Sequence, residues 1–255
     1  MTEVSATRWQ EFLLAVQFLT RLPVPRDLPF SDALLIRATR FYPLVGMLVG
    51  AIGAAVLFVA VQIWPMPVAV LLSIAATVYA TGAFHEDGLA DAADGLGGGL
   101  TRERALEIMR DSRIGTYGTV TLGLALALKA VALMSMAPLD AVIALIIGHG
   151  ASRMAAVQVV HIDAYARDKG AKFVAPTVLP DGYRFALAVT CLLVAAAVAW
   201  FGSLATLTGI ALALLVGWQF RAMFLRKLAG YTGDCLGGMQ QVTELAFYLG
   251  VAAWL

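Results

Sequence analysis

Charged side chains are scarce in this sequence. Asp, Glu, Lys and Arg make up 14% of the 255 residues, whereas hydrophobic residues make up 60%. Soluble domains usually contain about 25% charged and about 45–50% apolar residues. The composition therefore predicts an integral membrane protein rather than a soluble one.

The sequence also has few cysteines, a low net charge and no pattern typical of a signal peptide. The only cysteines, Cys191 and Cys235, form neither a disulfide framework nor a metal-ligand pattern. A formal net charge of +1, without a dense basic patch, gives no reason to expect a nucleic-acid partner. The first apolar stretch is short and is followed by Pro23, Pro25 and Pro29, which is not a signal-peptide layout. We therefore expect the chain to keep its N-terminus.

Long apolar runs divide the chain into predicted membrane spans. The helix predicted over 9–19 is too short to cross a bilayer, so we expect it to lie along the membrane surface. The fold class is therefore all-α, a polytopic integral membrane helical bundle that forms a single domain over 1–255. Its seven predicted spans lie at about 43–63, 68–84, 116–137, 141–160, 185–201, 204–220 and 241 to the C-terminus.

Lys and Arg are absent from the three short turns between spans, at 64–67, 138–140 and 202–203. Arginines are frequent instead in the N-terminal segment 1–42 and in the longer loops on the opposite side. Basic residues are enriched on the cytoplasmic side of membrane proteins. We therefore expect an interfacial, cytoplasmic N-terminal segment, cytoplasmic catalytic loops and an outer C-terminus.

A cluster of carboxylates follows the second predicted span. On a helix, Asp87, Asp91 and Asp94 fall at i, i+4 and i+7 and share one face, with Glu86 beside that row. Carboxylates this close repel each other unless a cation lies among them, and Mg²⁺ prefers oxygen ligands. The segment 85–115 is therefore predicted to bind a metal ion, with a solvated acidic turn as the alternative.

Basic side chains follow the acids. Arg110 and Arg113 could contact phosphate oxygens through their planar guanidinium groups, or could belong to a positive-inside belt. Arg113 is the stronger candidate because it lies between Asp111 and Gly115, at the entrance of the third span.

Further polar residues are candidates for the same site. His85 adjoins the acids and could act as a base or as an orienting group. His149 and Arg153 form an ionisable pair inside an apolar span, where such groups are costly and often functional, although helix packing is an equal alternative. Asp234, in a predicted second active-site loop over 226–240, could complete the metal or substrate site or could serve the turn.

Four motifs occur in order across nearly the whole chain, with the letters FLTRLP (18–23), EDGLADAADG (86–95), DSRIGTYG (111–118) and GDCLG (233–237). Together they resemble the cobalamin synthase family, also called adenosylcobinamide-GDP ribazoletransferase. The resemblance implies a Mg²⁺-dependent enzyme of the bacterial inner membrane. It would join adenosylcobinamide-GDP to α-ribazole, or to α-ribazole 5′-phosphate, and release GMP in the last steps of cobalamin biosynthesis.

The resemblance also implies roles for particular residues. Asp87, Asp91 and Asp94 would hold Mg²⁺. Arg113 would offset phosphate charge, and Glu86 or His85 would accept the hydroxyl proton. Partners beyond the substrates and the lipid bilayer, such as a second copy or other corrinoid-pathway enzymes, stay open. The candidate substrate-binding residues are Arg21, Arg110, Asp111, His149, Arg153 and Asp234.

Other activities fit parts of the pattern. CDP-alcohol phosphotransferases also displace a nucleoside monophosphate at a membrane face, but their signature continues with an Ala-Arg pair that is missing after Asp87-Gly88. An ion-coupled transporter would place its ionisable groups near mid-membrane rather than at a helix end. An intramembrane aspartyl protease would need two aspartates that face each other within the bilayer.

Overall fold

The computed structural model describes residues 6–167 and 177–255, so the predictions that involve 1–5 and 168–176 lie outside the described residues. Within that part of the chain the only β-type pairing is a single bridge between Tyr165 and Tyr231. The all-α prediction is therefore confirmed. The helices, with a short 3₁₀ turn at Thr39–Phe41 before α3, are α1 (Arg8–Leu19), α2 (Asp32–Ala38), α3 (Tyr42–Ala60), α4 (Met66–Thr81), α5 (Phe84–Gly98), α6 (Arg102–Ile108), α7 (Thr116–Met134), α8 (Pro138–Ile162), α9 (Pro180–Phe201), α10 (Ser203–Leu228) and α11 (Gly233–Ala252).

Most of the predicted spans are present as long apolar helices. Helices α4 and α5 would add a sixth span if counted together, but they are bent by 87°. The multi-pass fold is thus confirmed, whereas the predicted count of seven is not. The last predicted span belongs to α11, whose hydropathy is lowered by Gln240, Gln241 and Glu244. The five described segments that are long and apolar enough to cross a membrane are Asp32–Ala60, Thr116–Met134, Pro138–Ile162, Pro180–Phe201 and Ser203–Leu228.

The bend between α4 and α5 occurs at Gly82 and Ala83. Both residues have left-handed backbone conformations, with φ of 67° and 60°, which glycine adopts readily and alanine does not. A Cβ atom on Gly82 would lie 2.0 Å from Nε of Arg21. The bend therefore turns the acidic helix α5 away from α4 and leaves room for Arg21 over its start.

Two glycines allow α5 and α11 to pack closely. A Cβ atom on Gly88 would lie 3.0 Å from the backbone oxygen of Asp234, and one on Gly237 would lie 3.2 Å from the backbone oxygen of His85. Small residues permit this close approach of helix backbones. The contact places the first turn of α11 beside the acidic helix.

Two glycine-containing segments are more helical than their composition suggests. The predicted loop 226–240 is only a short connection, because α10 continues to Leu228 and α11 begins at Gly233 rather than near 241. The hydroxyl of Thr232 caps α11 at its N-terminus. Likewise, α5 continues through Gly95 and Gly97 and ends at Gly98. Glycine weakens an isolated helix by only about 1 kcal/mol per residue, which close packing offsets.

Candidate active site

Three carboxylates that interact electrostatically lie near the contact between α5 and α11. Asp87 is exposed and Asp91 is half-buried on α5, and Asp234 lies in the first turn of α11. Asp91 experiences repulsion from both Asp87 and Asp234. Burial raises the pKa of the Asp234 carboxyl group, while Arg167 and the Thr232 hydroxyl oppose that rise. We call this surface the acidic face (Asp87, Asp91 and Asp234). A bound cation would relieve the repulsion between its carboxylates.

Arg167 contacts the acidic face, although sequence reasoning did not single it out. Its Nη2 atom lies 2.9 Å from Oδ2 of Asp234, and the Thr232 hydroxyl donates to the same oxygen at 3.2 Å. Arg167 belongs to none of the sequence motifs, so the sequence shows only a basic residue in a polar loop at this position. Its guanidinium offsets part of the negative charge and orients the Asp234 carboxylate.

The third acid of the predicted metal row has other partners. Asp94 is buried, and its carboxylate oxygens accept hydrogen bonds from the N–H groups of Gly115 (2.7 Å) and Gly118 (2.9 Å). Because both N–H groups belong to the start of α7, Asp94 caps that helix from a neighbouring segment. Among the described residues no three His, Cys, Asp or Glu side chains are grouped to hold a metal ion. Mg²⁺ binding by Asp87, Asp91 and Asp94 therefore stays a prediction.

We expect Asp94→Ala to lower the free energy of unfolding by about 1–2 kcal/mol, because it removes this cap. Asp94→Asn keeps one acceptor oxygen and should cost less. Thermal unfolding of the purified protein in detergent measures both effects. A variant that loses Mg²⁺ affinity at unchanged stability would instead support a ligand role for Asp94.

The predicted catalytic residue Arg113 lies on the surface. Its side chain is 87% exposed and its Nη2 atom pairs with Oδ2 of Asp111 at 2.6 Å. Through this hydrogen bond the guanidinium lowers the pKa of Asp111 to about 2. Arg110 is exposed as well. The structure does not bring Arg113 into contact with the acids of α5, so its predicted role has no support from geometry.

A buried polar network lies behind the acidic face, between α5, α7, α8 and α11. Gln241 donates to Oε1 of Glu86 at 2.9 Å, and Lys129 donates to Oε1 of Gln241 at 2.8 Å. Lys129 also pairs with Glu244 at 2.9 Å, and the other Glu244 oxygen lies 3.0 Å from Nδ1 of His149. Sequence reasoning did not assign Lys129 a role, although a lysine within a span signals a buried partner.

Other candidates line a small cavity at the start of α5 or lie close to it. His149 and Arg153 are both buried on α8, and Nη1 of Arg153 donates to the backbone carbonyl of His149 at 2.7 Å. Arg153, His85 and Gln240 line a cavity of about 40 Å³. Arg21 lies over the adjoining bend. Several candidate residues therefore form two groups, the acidic face and the residues around this cavity. Asp94, Arg110, Asp111 and Arg113 belong to neither group.

Comparison with known proteins gives matches over nearly the whole chain. The family model described as Cobalamin-5-phosphate synthase matches residues 11–252. A Leptothrix cholodnii protein named adenosylcobinamide-GDP ribazoletransferase is 47% identical over 251 residues, which cover 96% of this chain and 94% of that protein. A Ralstonia pickettii protein of the same name is 43% identical, over 97% of this chain and 96% of its own length. For a Vibrio cholerae protein of that name the identity is 40%, with 96% and 94% covered. No solved structure gives a significant match.

Proposed function

Because the chain belongs to the cobalamin-5-phosphate synthase family, we propose that it joins adenosylcobinamide-GDP to α-ribazole, or to α-ribazole 5′-phosphate, and releases GMP. The match over 11–252 carries this proposal. The transferase activity predicted from the motifs is the one that the relatives' names state. Nothing in the comparisons favours a CDP-alcohol phosphotransferase or a transporter.

In the proposed reaction the ribazole 3′-hydroxyl oxygen attacks the phosphorus on the corrinoid side of the diphosphate. A new P–O bond forms, the P–O bond to GMP breaks, and the hydroxyl proton passes to a base. His85 borders the cavity, and Oε2 of Glu86 has no hydrogen-bond partner among the described residues. Gln241 holds the other Glu86 oxygen in place. One of these two side chains is the proposed proton acceptor.

The donor set on the acidic face suits a hard divalent cation. Asp87, Asp91 and Asp234 offer only oxygen atoms, and the repulsion that acts on Asp91 favours a positive charge among them. When bound, Mg²⁺ would supply charge neutralisation on the diphosphate. Arg21 and Arg167 flank the two groups of residues and could bind phosphate oxygens through their guanidinium groups. The proposed Mg²⁺ dependence rests on this donor set.

We also propose that the acidic face lies on the cytoplasmic side of the bacterial inner membrane. Arg102 donates to the backbone oxygens of Leu228 (2.8 Å) and Ala166 (2.5 Å), so the arginine-containing loops meet at one end of the bundle. The positive-inside rule favours the cytoplasmic side for that end. Nucleotide substrates and Mg²⁺ are available there.

The direct test is an assay of the purified protein with adenosylcobinamide-GDP, α-ribazole and Mg²⁺. We expect GMP and the completed corrinoid in equal amounts, loss of both products with EDTA, and recovery when Mg²⁺ is restored. Omission of α-ribazole is the control, since transfer requires an acceptor whereas hydrolysis does not. Folded protein that forms no GMP would overturn the proposed function, and solute counterflow in proteoliposomes without product would favour a transporter.

A further inference from the structure

Arg153 is a buried guanidinium that forms no direct ion pair within the described part of the chain. It is 2% exposed, and its Nε atom has no hydrogen-bond partner among the described residues. Its Nη1 atom donates to the backbone carbonyl of His149. Glu244 and Glu86 stabilise its charge through space, but neither forms an ion pair with it within the described chain. A guanidinium has five N–H donors, so Arg153 can bind a further acceptor besides these partners.

The guanidinium lines the cavity of about 40 Å³, here called the Arg153 cavity, together with His85, Gly233 and Gln240. A water molecule needs about 10–15 Å³ of such space, so the cavity has room for roughly three waters or one tetrahedral oxyanion. Phe84 also lines the cavity and is itself exposed, so one wall is close to the protein surface.

Two helices begin at the Arg153 cavity. Phe84 and His85 are the first residues of α5, and Gly233 is the first residue of α11. The first N–H groups of a helix have no acceptor within the helix and form the positive end of its dipole. No side chain caps α5, since its N-cap is Ala83. Helix N-termini of this kind are anion sites, and here a buried cation faces the same space.

We propose that the Arg153 cavity binds a phosphate monoester dianion. This inference rests on the proposed function, in which the monoester is the 5′-phosphate of the incoming α-ribazole 5′-phosphate. A monoester carries one substituent, so its three free oxygens can enter a narrow cavity, whereas a diphosphate is substituted on both sides. Asp87 follows His85 by two residues on α5. Gly233 lines the cavity and directly precedes Asp234, so the cavity adjoins the acidic face.

The test compares α-ribazole 5′-phosphate with α-ribazole as acceptors. For Arg153→Gln we expect kcat/KM to fall by about 100-fold with the phosphorylated acceptor, because charge-assisted hydrogen bonds are lost, and by less than about threefold with the other. Arg153→Lys keeps the charge without the planar fork and should give an intermediate loss. The matched control is Arg221→Gln, which removes a guanidinium that pairs with Asp163 at 2.6 Å outside the cavity. It should affect both acceptors equally.

Inorganic phosphate provides a second, independent probe. It should compete with α-ribazole 5′-phosphate in the wild type and compete less strongly in Arg153→Lys. This variant keeps the positive charge and remains a test if Arg153→Gln does not fold. Equal losses with both acceptors would assign Arg153 to the diphosphate or to packing and would overturn the inference. A wild type that releases GMP with both acceptors, without a phosphate preference, would refute this inference alone. Absence of GMP with either acceptor would refute the proposed function.

Discussion

Asp91→Asn is expected to lower the transferase rate by about 10³-fold while the protein stays folded. Asp91 belongs to the acidic face, and repulsion from both Asp87 and Asp234 acts on it. The substitution removes a charged oxygen donor from the proposed cation site. Because it also removes like-charge repulsion, the metal-free variant should melt at the same temperature as the wild type or higher.

The measurement is GMP release as a function of Mg²⁺ concentration, together with thermal unfolding in EDTA. Asp181→Asn is the matched control, because Asp181 is an exposed carboxylate that pairs only loosely with Arg184, at 3.5 Å. It should stay within about twofold of the wild-type rate, as surface substitutions have small effects. An Asp91→Asn protein with full Mg²⁺-dependent transfer would show that Asp91 does not hold the metal.

The second large effect concerns stability and the buried carboxylate of Glu244. Its oxygens lie 2.9 Å from Nζ of Lys129 and 3.0 Å from Nδ1 of His149. Glu244→Ala leaves Lys129 and Arg153 buried with one fewer compensating charge. Removal of one member of a buried ion pair typically costs about 3–5 kcal/mol, so we expect this variant to unfold at a much lower temperature.

A double variant separates charge from packing. Lys129→Met combined with Glu244→Gln removes both charges of the pair while keeping similar volumes, and it should recover a large part of the lost stability. Thermal unfolding of Lys129→Met, Glu244→Gln and the double variant in the same detergent gives the coupling energy between the two side chains. If Glu244→Ala melts like the wild type, the network does not support the fold.

The helical membrane fold was predictable from the sequence because membrane spans depend on local hydropathy. The predicted spans near 116–137, 141–160 and 204–220 all fall on long helices of the structure. The acidic row was predictable for a similar reason, since helical periodicity alone places Asp87 and Asp91 on one face. The boundaries of α5 and α11 were not predictable from the sequence. Glycine favours loops locally, and it is helical at these positions only because the helices pack closely.

The roles of individual polar side chains depend on residues that are distant in the sequence. Asp94 belongs to the acidic row by spacing, but its oxygens are held by N–H groups 21 and 24 residues later. Lys129 meets Gln241 across 112 residues, and Arg167 meets Asp234 across 67 residues. No local pattern encodes such pairs, because each depends on how whole helices pack.

The order of residues along the chain thus determines the acidic motif, the membrane character and the family's chemistry. The role of each side chain within the site depends on how the helices pack. Two glycines bring α11 against α5, and that contact adds Asp234 to the acids and opens the Arg153 cavity at two helix N-termini. Charge, burial and free donors at these positions arise from three-dimensional neighbours, so they become visible only when the helices are assembled.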